Sequence, residues 1–187
     1  MTAFWIALIY VLVAEMGDKT QLVALAFATR FNAKTVLAGV LVATLVVHLL
    51  SVFLGEAMSL ALPVFWIKFL AGVAFLLFGL WTLKGDELEE ENKLQKGRFG
   101  PFLTVASTFF LAELGDKTML MTITIASEQK SFIWVWLGST VGMVIADGFA
   151  IVAGKVMGKK LPETLIKYGA AIVFILSGLY TLYDIFH

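Results

Sequence analysis

Two short stretches put ionisable side chains where the surrounding residues are apolar. Glu15, Asp18, Lys19 and Thr20 interrupt the apolar run 3–28, and Glu113, Asp116, Lys117 and Thr118 interrupt the run 101–126. Carboxylate and hydroxyl oxygens are hard donors that suit Mg²⁺, Ca²⁺ and Mn²⁺. A charge at the centre of a bilayer costs about 2.5–3.5 kcal/mol on insertion scales. Four carboxylates therefore cannot all stay ionised in such a place unless protons or a cation join them. Set against two lysine ammonium groups, they leave an excess of negative charge that one divalent cation or two protons would neutralise. The chemistry in prospect is exchange of a divalent cation against protons at a shared, oxygen-rich site.

On a continuous helix, Glu15, Asp18 and Lys19 fall on one face, at spacings of three and four, and so do Glu113, Asp116 and Lys117. Gly17 and Gly115 leave a notch for a neighbouring backbone, or let the helix unwind locally. Thr20 and Thr118 add hydroxyl oxygens or bond back to the preceding turn. A purely structural reading is also available, with Glu15–Lys19 and Glu113–Lys117 as ion pairs holding a bundle together. Two matching copies, each with an extra Asp, weigh against it, because buried ion pairs are poor stabilisers. Both lysines keep two readings: they hold the empty site together until a cation displaces them, or they merely balance its charge.

Accessory candidates lie nearby. Asp147, inside the fifth apolar run, is a proton relay or a further oxygen donor. His48 holds the equivalent place in the second run and is either part of the site or a polar residue satisfied by a neighbouring helix. Gln21 follows the first motif and offers an amide oxygen, whereas Met119 follows the second, so the site is only approximately symmetric. Met119 and Met121 read as packing residues.

These residues need elements to carry them. The chain has 187 residues, 60% hydrophobic and 15% charged, with a mean hydropathy of +0.91. Soluble domains run at about 45–50% apolar and about 25% charged, so the composition implies an integral membrane protein in a lipid bilayer. Its zero net charge carries no nucleic-acid signature, and the absence of Cys excludes disulfides and thiolate metal sites. The N-terminus lacks the basic region and cleavage site of a signal peptide. Six stretches approach or exceed the roughly 20 residues needed to span: 3–28, 35–57, 64–83, 101–126, 132–157 and 164–186. The expected fold is an all-α polytopic membrane protein. Gly138–Gly142 and Gly154–Gly158 read as close helix-packing surfaces, and Trp5, Trp66, Trp81, Trp134 and Trp136 as interfacial anchors.

The chain repeats itself. The motif recurs at an offset of 98 residues, and from the second span onward the offset is 99: Gly55 matches Gly154, Leu62-Pro63 matches Leu161-Pro162, and Gly79-Leu80 matches Gly178-Leu179. His48 then stands opposite Asp147. The expected organisation is a first three-helix repeat (1–83), a charged cytoplasmic linker (84–100) and a second three-helix repeat (101–187). Three is odd, so the second copy enters the membrane inverted, a plan shared by many secondary transporters whose sites lie at the repeat interface. Arg30, Lys34, Lys84, Lys93, Lys96, Arg98, Lys155, Lys159, Lys160 and Lys167 fall on one side, and only Lys68 and Lys130 on the other. The positive-inside rule puts the linker in the cytoplasm and both termini outside.

The pair EMGDKT and ELGDKT, one copy in the first and one in the fourth of six spans, resembles the manganese/calcium cation-exchanger family that includes the Golgi cation/proton antiporters and bacterial manganese exporters. The likeness covers essentially the whole chain. It implies export of Mn²⁺, with Ca²⁺ left open, in exchange for protons, and binding of the ion by Glu15, Asp18, Glu113 and Asp116. It also implies a compact bacterial member in the inner membrane. No prosthetic group is expected, nor ATP, since no phosphate-binding glycine loop is present. The partners are the divalent cation, protons and the bilayer. The alternatives are an exporter of amino acids or other small solutes on a related six-helix fold, an assembly or regulatory subunit, and an uncoupled channel. An enzyme is not expected, because no separate nucleophile or general base stands out.

Overall fold

The computed structural model describes residues 1–16, 18–84, 100–157 and 163–186. Among them every regular element is a helix: α1 (Thr2–Glu15), α2 (Lys19–Arg30), α3 (Ala33–Ala61), α4 (Val64–Lys84), α5 (Pro101–Glu113), α6 (Lys117–Gln129), α7 (Phe132–Met157) and α8 (Glu163–Phe186). Most of the linker, including Glu89, Glu90 and Glu91, lies outside the described residues. Three stretches, Ala33–Ala61, Val64–Leu83 and Phe132–Val152, are long and apolar enough to cross a membrane by themselves. Large apolar side chains such as Phe53, Leu60, Leu111 and Tyr180 are exposed around the outside, while carboxylates are buried within. That inside-out arrangement belongs to an integral membrane protein, where lipid takes the place of water.

The first and fourth apolar runs are each two helices rather than one. Helix α1 stops where Met16 turns to extended backbone, and Asp18 caps α2 from an extended conformation. In the second copy, Leu114 leaves the helical region, Gly115 takes φ +79°, and Asp116 takes the N-cap position of α6 in extended backbone, without the side-chain cap bond that Asp18 makes. A positive φ is cheap for glycine and strained for other residues. Each break is bridged alike, by Asp18 N–H to the Glu15 carbonyl at 3.0 Å and by Asp116 N–H to the Glu113 carbonyl at 3.3 Å. The expectation of one continuous helical face through each motif is thereby corrected. Glu15 ends one helix, and Asp18 and Lys19 open the next.

Two apolar clusters sandwich a polar band. The first gathers Ala3, Ala7 and Ala14 of α1 with Val52, Phe75, Phe78, Met121, Ile125, Ala126, Val135 and Phe174. The second gathers Ala24, Phe27 and Ala28 of α2 with Val36, Val40, Ala43, Val105, Phe109 and Ile151. The chain order gives each element a direction. The α1–α2 pair and α7 run from the first cluster to the second, whereas α3 and the α5–α6 pair run from the second to the first. Most of the buried polar residues fall between: 15–21 in the first pair, 44–51 in α3, 113–118 in the second pair and 139–147 in α7; Thr82, Thr122, Ser127 and Thr181 are buried outside this band.

Glycines set the closest approaches. Helix α7 packs along α1: a Cβ on Gly138 would meet the Phe4 carbonyl oxygen, and one on Gly142 would meet the Leu8 carbonyl oxygen at 2.6 Å. The expected packing role of this glycine pair holds; the surroundings of Gly154 and Gly158 lie outside the description. Helices α4 and α8 run antiparallel. Gly79 faces Ile175 and Ala171, and Gly178 faces Leu76 and Gly72. Replacing each residue by its counterpart 99 positions away converts one set into the other. Beside this seam Lys68 and Asp184 form an ion pair between α4 and α8. Trp136 is half-buried, and its indole N–H donates to the Leu45 carbonyl at 2.9 Å, tying α7 to α3.

Candidate cation site in the polar band

Glu15, Asp18, Glu113, Asp116 and Asp147 are all buried, as are Thr20, Gln21, Lys117, Thr118 and His48. The helix breaks decide how the motif residues are presented. Glu15 and Glu113 close α1 and α5, near the negative ends of those helix dipoles. Asp18 and Asp116 are N-cap residues of α2 and α6, near the positive ends. Four half-helix termini therefore converge on the polar band. Such termini supply carbonyl oxygens to cations and N–H groups to carboxylates in membrane interiors.

The two copies are bonded alike. Thr118 donates its hydroxyl to Glu113 Oε2 at 2.7 Å, and Thr20 donates its hydroxyl to Glu15 Oε1. The second oxygen of each glutamate, Glu15 Oε2 and Glu113 Oε1, has no hydrogen-bond partner among the described residues. Thr20 also donates to Asp18 Oδ2 at 3.1 Å. Both glutamates lie within electrostatic reach of Asp18 and Asp147, and Glu15 within reach of Glu113. The two motifs, 98 residues apart in the chain, thus meet in one place.

Lysine pairing departs from the local i, i+4 alternative. Lys117 pairs with Asp18 of the other motif rather than with Glu113 four residues before it. The Lys19 side chain lies outside the described residues. Gln21 donates its amide N–H to the Ala146 carbonyl at 3.0 Å, one residue before Asp147, and so fastens α2 to α7. Met119 uses its sulfur locally, accepting the Gly115 N–H at 3.2 Å across the helix break, which agrees with a packing role.

Asp147 belongs with the motif carboxylates, and neither of its oxygens has a hydrogen-bond partner among the described residues. His48 is fully buried, and neither ring nitrogen has such a partner. No three Asp, Glu or His side chains among the described residues already converge as a metal cluster. With Asp18 turned to Lys117, the carboxylates share a region without forming a finished coordination shell. Sequence reasoning passed over Thr44 and Thr140, buried hydroxyls without a partner among the described residues. Thr44 is one turn before His48 and Thr140 two turns before Asp147, so hydroxyls at helical spacing from an ionisable residue were the available signal.

A family model described as divalent cation/proton antiporter GDT1 matches the chain at residues 3–90 and again at 101–187. The chain belongs to this family. It is a GDT1-family antiporter that couples divalent cations to protons. A Vibrio cholerae protein named "Putative manganese exporter" is 34% identical over 183 residues, covering 97% of this chain and 90% of the relative. GDT1-like protein sll0615 of Synechocystis is 30% identical, with 94% of each chain covered. GDT1-like protein 5 of Arabidopsis thaliana is 29% identical, with 90% of each covered. No solved structure matches this GDT1-family chain.

Proposed function

We propose that this antiporter exports Mn²⁺, with Ca²⁺ as a second substrate, and that Glu15, Asp18, Glu113 and Asp116 bind the ion. The meeting of both motif copies in one buried band carries this reading. Oxygen donors suit both ions, and the name of the Vibrio cholerae relative favours manganese.

The proposed architecture is six spans in two inverted repeats, 1–83 and 101–187, joined by the cytoplasmic linker 84–100. Three observations support it: the two family matches, the opposed directions of the α1–α2 and α5–α6 pairs between the two clusters, and the exchangeable α4–α8 contacts. The proposed orientation, with both termini outside a bacterial inner membrane, rests on the one-sided Lys and Arg distribution. In the proposed cycle the cytoplasm-facing site gives up protons and takes the cation. When the site faces outward, protons compete for the same oxygens and the metal leaves. Asp147, within reach of three motif carboxylates, is the proposed proton relay; His48 is a weaker candidate.

The test is flux in proteoliposomes. An imposed proton gradient is expected to drive Mn²⁺ movement, and Ca²⁺ movement more weakly; failure to move either removes the reading. Binding measured across pH is expected to fall steeply on acidification, since protons and metal share carboxylates.

The threonine bonds give a finer prediction. Thr118→Val keeps the shape and removes the donor to Glu113. Groups that orient a ligand are worth about 10–100-fold in metal affinity. Thr118→Val is therefore expected to weaken Mn²⁺ binding by about that factor, and Thr118→Ser to restore it, as read by calorimetric titration. Equal affinity in Val and Ser variants would remove the threonine from the site.

A further inference from the structure

The Lys117–Asp18 pair is placed oddly for a structural contact. Lys117 is the first residue of α6, at the positive end of the helix dipole, where a cation is disfavoured. The dipole of its own helix thus gives the lysine no reason to be there. Its partner belongs to the other motif copy and caps α2. Both side chains are nearly withdrawn from solvent, at 6% and 0% exposure, so water cannot replace either partner. A buried charge that loses a partner of opposite sign is strongly disfavoured, so Asp18 gives up the ammonium most readily to another cation. Around the pair stand Glu15, Glu113 and Asp147, all within electrostatic reach of Asp18. Glu15 Oε2, Glu113 Oε1 and both Asp147 oxygens have no hydrogen-bond partner among the described residues.

We propose that the Lys117 ammonium is a tethered stand-in for the transported cation, holding Asp18 while the site is empty and yielding it when a divalent ion arrives. The proposal rests on the carboxylate site put forward above. An arriving ion brings two charges to the oxygens of both copies, whereas the ammonium brings one. Lysine suits the task because its flexible four-carbon stem can withdraw a compact charge, while arginine would grip the carboxylate with a rigid fork. The binding free energy of the ion is thus reduced by the cost of breaking the pair. Return of the ammonium to Asp18 then helps to expel the ion on the far side. The lysine sets affinity low enough for release and links the two repeats only in the unloaded state.

The test uses the full chain, purified and reconstituted, with Mn²⁺ as the probe of binding and flux. Lys117→Gln is expected to bind Mn²⁺ about tenfold tighter, within the usual range of site-to-site coupling, and to turn over more slowly in proton-driven flux. Lys117→Arg is expected to bind more weakly than the native chain. Unchanged or weaker binding in Lys117→Gln overturns the proposal, because an ammonium that competes with the ion for Asp18 must lower the ion's affinity while it is present. Asp18→Asn separates this failure from failure of the site itself. If Asp18→Asn binds Mn²⁺ like the native chain, Asp18 is no ligand and the site reading falls. If Asp18→Asn loses binding while Lys117→Gln gains none, only the lysine proposal falls. Should Lys117→Gln not fold, the native chain with ¹⁵N-labelled lysine gives the answer. The Lys117 ammonium resonance, assigned through Lys117→Arg, is expected to shift on saturation with Ca²⁺, and an unmoved resonance overturns the proposal.

Discussion

Glu113→Gln is expected to abolish proton-driven cation transport while leaving the protein folded. Glutamine keeps the size of the side chain and can still accept the Thr118 hydroxyl, which lies 2.7 Å from Glu113 Oε2 in the native chain. It carries no charge and has no proton to exchange. Glu113 is fully buried among Asp116, Asp18 and Asp147, so solvent cannot supply the missing charge. Loss of one partner from a buried charged set costs about 3–5 kcal/mol. At about 1.4 kcal/mol per factor of ten, Mn²⁺ affinity should fall by at least roughly 100-fold. Stability without metal should move the other way, because one repulsive carboxylate has gone. Thermal unfolding of the cation-free variant is thus expected at or above the native temperature, without the upward shift that Mn²⁺ is expected to give the native chain. Glu15→Gln should behave alike, since Thr20 serves Glu15 as Thr118 serves Glu113. Transport within a fewfold of native in either variant would remove that glutamate from the site.

Gly138→Leu is expected to have the largest effect on folding. A Cβ at this position would already meet the Phe4 carbonyl oxygen, with the Phe4 C and Cα at 3.0 and 3.1 Å. These are backbone atoms of α1 and cannot swing aside as a side chain would. Overpacking in a filled interior costs about 1–3 kcal/mol and more when backbone must move. A leucine forces α1 off α7, and α1 carries Glu15. The variant is expected to be lost as a monodisperse species on size-exclusion chromatography, and Gly138→Ala to unfold at a lower temperature than the native chain. Gly148 is the control within the same helix. Its added Cβ would find only Leu37 Cδ2 at 3.7 Å, an ordinary contact. Alanine is favoured over glycine in a helix by about 0.8–1.0 kcal/mol, so Gly148→Ala should be neutral or stabilising. Equal behaviour of the two alanine variants would show that the approach at Phe4 is not limiting.

Much of this was legible in the residues. The first residues of α4 and α7 coincide with the starts of the apolar runs that announce them, because a helix that crosses lipid needs a long apolar stretch. The motif carboxylates announced themselves by being expensive where they stand. The helix breaks were less legible. Gly17 and Gly115 allowed either a notch or an unwound turn, and apolar periodicity cannot separate one helix of about 26 residues from two that meet end to end. The cross-pairing of Lys117 with Asp18 was not legible at all. Spacing along one chain offers only local partners, and the true partner arrives through the fold. Thr44 and Thr140 were missed because a threonine in an apolar helix can satisfy its hydroxyl on the preceding turn, as Thr122 does on the Thr118 carbonyl at 2.9 Å.

The contact between α4 and α8 is a palindrome in three dimensions. Gly79 with Ala171 and Ile175 reads the same as Gly178 with Gly72 and Leu76. In the inverted-repeat cycle proposed above, a tilt of one half against the other would loosen contacts at one end of this seam and tighten their counterparts at the opposite end. The glycine contacts of the joint would then favour neither side of the membrane, and the direction of traffic would be left to whatever occupies the carboxylates.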